Sequence, residues 1–276
     1  MAELIVPTSK QPDENGRVLE ITPESAGWTY VGFEVFKLEQ GQKLVRQTGD
    51  QEFCAVLLSG RAAVNTNELE KVEIGQRMSV FEQIPPYSLY VPPHDEFTVE
   101  ALTAVEVALC AAPGKGNHKA RVIEPAHVGV EKRGQDSTER YIHNILPEQE
   151  PADSLLVVEV YTPGGHWSSY PPHKHDQDNL PVESFLEETY YHKIEPAHGF
   201  AVQRVYTIDD PEPLDETLVL KDGDAVLVPK GFHPVSAAPG YNLYYLNVMA
   251  GPVRTWKFYN DPAHEWLMKA APAKEE

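Results

Sequence analysis

The stretch AVLVPKGFHPVSAAPGYNLYYL (225–246) decides the fold: an apolar strand, a Pro-Lys-Gly turn, a single histidine and a second strand. SLYVPPHDEFTVEA (88–101) repeats that order in the first half of the chain. One pattern met twice along 276 residues predicts two copies of a small β-barrel, joined near residues 113–150. Outward from these copies, strand signals dominate. TYVGFEVFKL (29–38), EFCAVLLSGRAAVN (52–65) and FTVEALTAVEVALCAAP (97–113) fill the first half, the last broken near Leu102–Thr103 as a hairpin would be. SLLVVEVYTP (154–163), ETYYHKI (188–194), FAVQRVYTI (200–208) and ETLVLKDGDAVLVP (216–229) fill the second. The best helical candidate is short, DPAHEWLMKA (261–270), with Asp261 as cap and Pro262 in the first turn. The expectation is an all-β chain with residues 1–125 as a barrel without metal and 126–276 as a second, metal-binding barrel that ends in that helix.

Composition agrees with many short strands and turns, since 24 prolines and 18 glycines are spread along the chain. The net charge is −19, from 23 basic and 42 acidic residues, and no Lys/Arg cluster interrupts it. Such a surface repels phosphate backbones and excludes nucleic acid as a partner, while a small anion can still be met by local basic groups or a metal. Cys54 and Cys110 lie in apolar runs and read as buried thiols of a reducing compartment. The N-terminus MAELIVPTSKQ is not a signal peptide, and no apolar run is long enough to span a bilayer. A cytoplasmic protein without membrane association is expected, and a homo-oligomer is compatible with this.

The chemistry concentrates in the second half. His173 and His175, in YPPHKHD, are one residue apart, and strand alternation points both to one side, where they can grip one ion. Glu188 follows thirteen residues on and shares its face with Tyr190, and His233 arrives on a later turn. Three imidazoles and a carboxylate suit one divalent ion among Zn, Mn, Co, Ni and Fe and leave positions open for other ligands. Glu187 is the alternative carboxylate; a regular strand would turn it away, which favours Glu188. The matching place in the first half has only His94, which reads as a structural or surface residue.

The order of these parts (a Gly-rich turn, His-x-His, an acidic strand opening, then Gly-Asp-Ala and a single His) resembles the two motifs of the cupin superfamily, with QDNLPVESFL (177–186) inserted. RYIHNIL, YTPGGHWSSYPPHKHD, ESFLEETYYHKIEPAHGFAVQRVYT and DGDAVLVPKGFHPVSAAPGYNLYYLNVMAGPVRTW resemble the 5-deoxy-glucuronate isomerase family of myo-inositol degradation over most of residues 140–256. That resemblance implies a bicupin whose C-terminal barrel holds the metal through His173, His175, Glu188 and His233. It also implies an aldose–ketose isomerisation of 5-deoxy-D-glucuronate to 5-dehydro-2-deoxy-D-gluconate. Such a reaction needs the two adjacent oxygens held, the shifting charge stabilised and protons relayed.

For the relay and for orienting substrate, Tyr190, His166 and Lys230 are candidates, and Arg204 is a candidate fork for the distal carboxylate of a uronate. The alternatives are the related isomerase acting on the 5-keto-4-deoxyuronate of pectin breakdown, an oxygen-dependent cupin dioxygenase, and a non-catalytic sugar-binding cupin.

Overall fold

The computed structural model describes residues 3–269. Two sheets dominate. One runs, from edge to edge, through Arg121–Ile123, Ser88–Val91, Gln51–Ser59, Val105–Pro113, Gly32–Leu38 and Arg17–Ile21. The other runs through Ile5–Val6, Ala225–Val228, Glu187–Glu195, Asn242–Ala250, Leu156–Thr162, Arg140–Leu146 and Gly129–Arg133. Each is closed into a barrel by a four-stranded sheet. Lys43–Gln47, Glu96–Ala101, Ala62–Thr66 and Val72–Ile74 serve the first half; Trp167–Ser168, Val235–Ala237, Ala201–Tyr206 and Asp215–Leu220 serve the second. The strand orders match over six positions of the large sheets, the second sheet adding Gly129–Arg133 at its edge, and this is the duplication read from the sequence. The fold is all-β, two tandem cupin barrels.

Several boundaries move. The run 52–65 is two strands turned at Gly60–Arg61, and the run 216–229 is two strands turned at 221–224. The insertion forms a hairpin, Asp176–Asn179 with Glu183–Phe185, anchored where Lys174 reaches Glu183 and Asp176 accepts the Gly231 N–H. The C-terminal helix is only Trp266–Lys269, preceded by turns, with Asp261 accepting from the Ala263 N–H; the expected residue 270 lies outside the described residues.

Residues 1–125 close their own sheet with a late strand but give their opening strand to the other half. Ile5–Val6 pairs with Val226 and Ala225 at the edge of the second sheet, while Arg121–Ile123 pairs with Tyr90, Leu89 and Ser88 at the edge of the first. Both edges are thereby covered rather than left as templates for pairing.

The broad outer faces of the two sheets pack on each other. The largest apolar cluster draws Phe33, Val56 and Cys110 from the first half and Leu155, Tyr191 and Leu246 from the second. Phe33 meets Tyr191 at a ring-centroid distance of 5.8 Å. Cys54 and Cys110 are partners across neighbouring strands in this layer, both free thiols, and burial pushes the Cys54 thiol up to about 12. Inside the seam a buried ion pair is fully bonded: Arg77 donates to both oxygens of Glu159 at 2.8 and 2.9 Å, and His143 and the Tyr244 hydroxyl complete the carboxylate. Burial alone would raise Glu159, but Arg77 and His143 outweigh it and lower the carboxyl to about 2.

Two further carboxylates tie the halves together in matching positions. Glu187 accepts the backbone N–H groups of Thr29, Tyr30 and Val31 at 2.7, 2.7 and 2.9 Å, just before the strand Gly32–Leu38. Glu52 accepts those of Asp153, Ser154 and Leu155 at 2.8, 2.6 and 2.7 Å, just before Leu156–Thr162. Each carboxylate satisfies three donors that the packed seam hides from water. Glu187→Ala should therefore lower unfolding free energy in urea by about 3 kcal/mol, as should Glu52→Ala, because each strands several donors. Glu187→Gln should lose roughly half as much, since one amide oxygen still accepts. A loss below about 0.5 kcal/mol for either alanine variant would show that these caps do not hold the halves.

Candidate metal centre and cavity

Alternation along Glu187–Glu195 places consecutive carboxylates on opposite faces. Glu187 faces the seam, bonded to three backbone N–H groups, and Glu188 faces the interior of the second barrel. His175 Nε2 lies 2.9 Å and His233 Nε2 3.1 Å from Glu188 Oε2, all three residues buried. Their ligand atoms lie within 4.8 Å of one another, and this is the cluster among the described residues that could hold a divalent ion.

The donor set fits such an ion. His175 Nδ1 donates to the Leu186 carbonyl at 3.1 Å and His233 Nδ1 to the Gly231 carbonyl at 2.9 Å. Both rings therefore turn the Nε2 lone pair toward Glu188, the tautomer a metal requires. His233 Nε2 is buried with no hydrogen-bond partner, an orphan that a metal bond would satisfy. Asn247 donates to Glu188 Oε1 and leaves Oε2 for the centre.

Electrostatics act differently on each member of the cluster. Burial would raise Glu188, but His233 and His175 outweigh it and hold the carboxyl well below its usual range. Burial would lower His175, but Glu188 raises it above its ordinary 6.5. His173 is lowered well below 6.5 by burial and by its two imidazole neighbours. Its ring stands 5.0 Å from that of His233 and 6.3 Å from that of His175, centroid to centroid, beside the tight cluster.

His173 and Glu188 open on a cavity of about 700 Å³. Tyr190, Ser169, Tyr245 and Asn247 line it near the cluster, Trp256 and Phe258 give it an apolar wall, and Leu267 and Met268 of the C-terminal segment border it. The Tyr190 hydroxyl meets Ser169 Oγ at 3.0 Å, and the Tyr245 hydroxyl meets Ser168 Oγ. Burial first, then the Glu188 charge, pushes Tyr190 well above 10.0, so it stays a neutral donor. Arg133 and Arg140 enter the same cavity, joined by the loop Gly134–Thr138. That loop is wound so tightly that a Cβ on Gly134, whose φ is 78°, would sit 2.1 Å from the Thr138 carbonyl oxygen.

Three sequence candidates stand elsewhere. Arg204 lies on the outward face of its strand, its side chain 44% exposed, bonded to Asp215 and stacked 4.0 Å over Tyr206. It does share a face with Tyr206, as parity demands, but that face is the outer one; Ala201, Gln203 and Val205 point inward. Lys230 is bound by Asp210 at 2.9 Å and the Glu212 carbonyl at 2.8 Å, and His166 donates to the Glu139 carbonyl at 2.9 Å; neither lines the cavity. His94 is exposed in a turn, as expected. Sequence reasoning passed over Arg140, Tyr245 and Asn247. For Tyr245 and Asn247 the signal was present, as alternate residues of one strand with Leu243.

The first barrel has no such cluster among the described residues. Phe53 occupies the register position of Glu188, since Phe53 pairs with Val91 as Glu188 pairs with Val228. Phe97 packs on it at 5.6 Å, and the interior around them is apolar.

Ions and protons compete for this cluster. In metal-free protein the lowered Glu188 contributes stability above its ordinary 4.5, lost as acid protonates it; the raised His175 contributes fully below 6.5 and fades as pH climbs through its folded value. A metal needs His175 deprotonated, so affinity should rise at least about tenfold from pH 5.5 to 7.5 in competition titrations with a chromophoric chelator. A flat profile would mean that His175 is not a ligand.

The comparisons with known proteins agree over the whole chain. A family model described as the KduI/IolB family matches residues 4–267. The 5-deoxy-glucuronate isomerase of Geobacillus kaustophilus is 64% identical over 276 residues, covering 100% of this chain and 99% of that protein. The crystal structure of an IolB-like protein from Salmonella typhimurium superposes with a TM-score of 0.93 at 47% identity, over 97% of this chain and 100% of that one. An oxalate decarboxylase of Bacillus subtilis shares the fold alone, with a TM-score of 0.62 at 13% identity over 94% of this chain and 80% of that one.

Proposed function

The chain belongs to the KduI/IolB family, and from that premise we propose that it isomerises 5-deoxy-D-glucuronate to 5-dehydro-2-deoxy-D-gluconate at the cluster of His175, Glu188 and His233. The enzyme is an isomerase acting on 5-deoxy-glucuronate-type substrates. The observation that carries the site assignment is the orphaned Nε2 of His233 beside a carboxylate and a second imidazole of fixed tautomer. His173, at the cavity wall beside them, is the fourth ligand in this reading. These residues would hold a divalent ion, Zn, Mn, Co, Ni or Fe, which would supply Lewis-acid chemistry to the sugar.

The chain's own groups do the rest. Converting an aldehyde beside a hydroxyl into a ketone beside a hydroxymethyl group moves one hydrogen from carbon to carbon and one between the oxygens. Tyr190, kept protonated and backed by Ser169, is placed to donate to a substrate oxygen and return the proton. Tyr245 with Ser168 forms a second hydroxyl pair close by. Trp256 and Phe258 limit the water around the reacting carbons. Asn247 keeps Glu188 from swinging to the substrate. Arg204, Lys230 and His166 have no part in this reading.

The fold's other chemistries are less well served. Beside the cluster stand the hydroxyls of Tyr190 and Tyr245 and the Asn247 amide, groups suited to a polyhydroxy substrate. A cytoplasmic setting fits the two unpaired thiols. Among the described residues no helix is long and apolar enough to cross a membrane.

Metal-stripped protein should lose isomerase activity toward 5-deoxy-D-glucuronate and regain it with one equivalent of a suitable ion, followed as appearance of the ketone. Failure of every ion despite stoichiometric binding would defeat the assignment and bring the isomerase of pectin breakdown forward. Glu188→Gln should lower kcat/KM by about 10³-fold or more, since the ligand charge is lost. Arg204→Ala, on the outer face, should stay within about twofold of wild type; a hundredfold fall would place it in the reaction.

A further inference from the structure

Every arginine but one has its charge accounted for. Buried Arg77 has Glu159, and exposed or half-buried ones such as Arg17, Arg46 and Arg204 have Glu34 or Asp215. Arg61, Arg121 and Arg133 are likewise ion-paired, and Arg254 is bonded to four backbone carbonyls. Arg140 differs. Among the described residues it has no carboxylate partner, and its one hydrogen bond runs from Nη1 to the Thr138 carbonyl at 3.0 Å. Burial lowers its pKa, and the nearby charge of Arg133 lowers it further.

Its surroundings make this more pointed. Arg133 is its register partner on the next strand, so two like charges stand opposite each other, which is unfavourable unless an anion lies between or beside them. The acid within reach, Glu131, is engaged by Arg133 and Asn144. In a chain with 42 acidic residues against 23 basic, a guanidinium left without an acid at the wall of a cavity is not for want of carboxylates. A desolvated cation without a partner is costly, and a ligand that brings the anion removes that cost. The free donors open on the cavity that Glu188 and His173 also line.

We propose that Arg140 binds the distal carboxylate of the sugar acid and so sets the preference for uronates over neutral aldoses, an assignment that rests on the isomerase reading above. A planar fork meeting a planar carboxylate fixes direction as well as charge. The sugar is thereby held end-on, aldehyde at the metal cluster and carboxylate at Arg140. Arg133, already paired and lying 5.9 Å over the Trp256 ring, adds field rather than a free fork. This gives the carboxylate role to Arg140 instead of Arg204.

The test is binding and turnover in parallel on the metal-loaded protein. Calorimetry with D-glucuronate and with D-glucose should show Arg140→Met weakening the uronate by about 30-fold or more, with glucose unchanged and metal content equal to wild type. Arg140→Lys, which keeps the charge but not the fork, should fall between, and it answers the question should the methionine variant fold poorly. In turnover, Arg140→Met should raise KM for 5-deoxy-D-glucuronate by a similar factor with a smaller change in kcat. It should also erase the preference over the matching aldose that carries a hydroxymethyl group in place of the carboxylate. Equal uronate binding by wild type and both variants, or a preference that survives the substitution, would overturn the assignment. A wild type that isomerises neither sugar would instead sink the isomerase reading, and the binding comparison alone would then decide for or against Arg140 as a carboxylate site.

Discussion

Two adjacent carboxylates on one strand carry opposite duties, and the molecule is organised by that fact. Glu187 turns toward the seam and collects three backbone N–H groups of the other half. Glu188 turns inward and meets two imidazoles. The strand cannot slip by one residue without exchanging them, which would bury a bare carboxylate in the seam and remove the ligand from the centre. The packing of the halves therefore fixes the register of the metal cluster, and the cavity around it inherits that precision. A site borne on a central strand held from both faces is better placed than one on a loop.

The duplication shows what can change without disturbing this frame. Glu52 matches Glu187 in position and in task, so the seam is nearly symmetrical. One residue further along, symmetry ends: Phe53 stands where the second barrel has Glu188, and its surroundings are apolar. The first barrel has a filled apolar core, and the second gives up interior packing for imidazoles, hydroxyls and a cavity. Buried polar groups around the cavity are bonded to one another, Asn247 to Glu188 and the tyrosines to serines.

Much of this was legible in the chain. Strand, Pro, turn, His and strand, met twice, gave the two barrels; alternation through His173 and His175 and through Glu188 and Tyr190 gave the faces of the site. What escaped was of three kinds. Short strands such as Lys43–Gln47 and Gly129–Arg133 carry mixed charge and no apolar alternation, so local pattern cannot separate them from loops. Parity put Arg204 and Tyr206 together, but nothing in parity says which side of a barrel wall is inside. Lys230 and His166 sit near ligand motifs in sequence, yet turns carry them to other partners. Arg140 was hidden for the opposite reason. Its significance lies in the carboxylate it lacks, and only coordinates show which acids are already engaged.

The pairing of the two edge strands has a consequence for how the molecule is made. Ile5–Val6 completes a sheet whose other strands are encoded more than a hundred residues later, and Arg121–Ile123 completes one already synthesised. During translation the first barrel can close its own edge only once residue 123 has left the ribosome, while the opening strand must wait, unpaired, for its distant sheet. A gene fragment encoding residues 1–125 would yield an opening strand without its sheet, and one encoding residues 126–276 a sheet with an open edge.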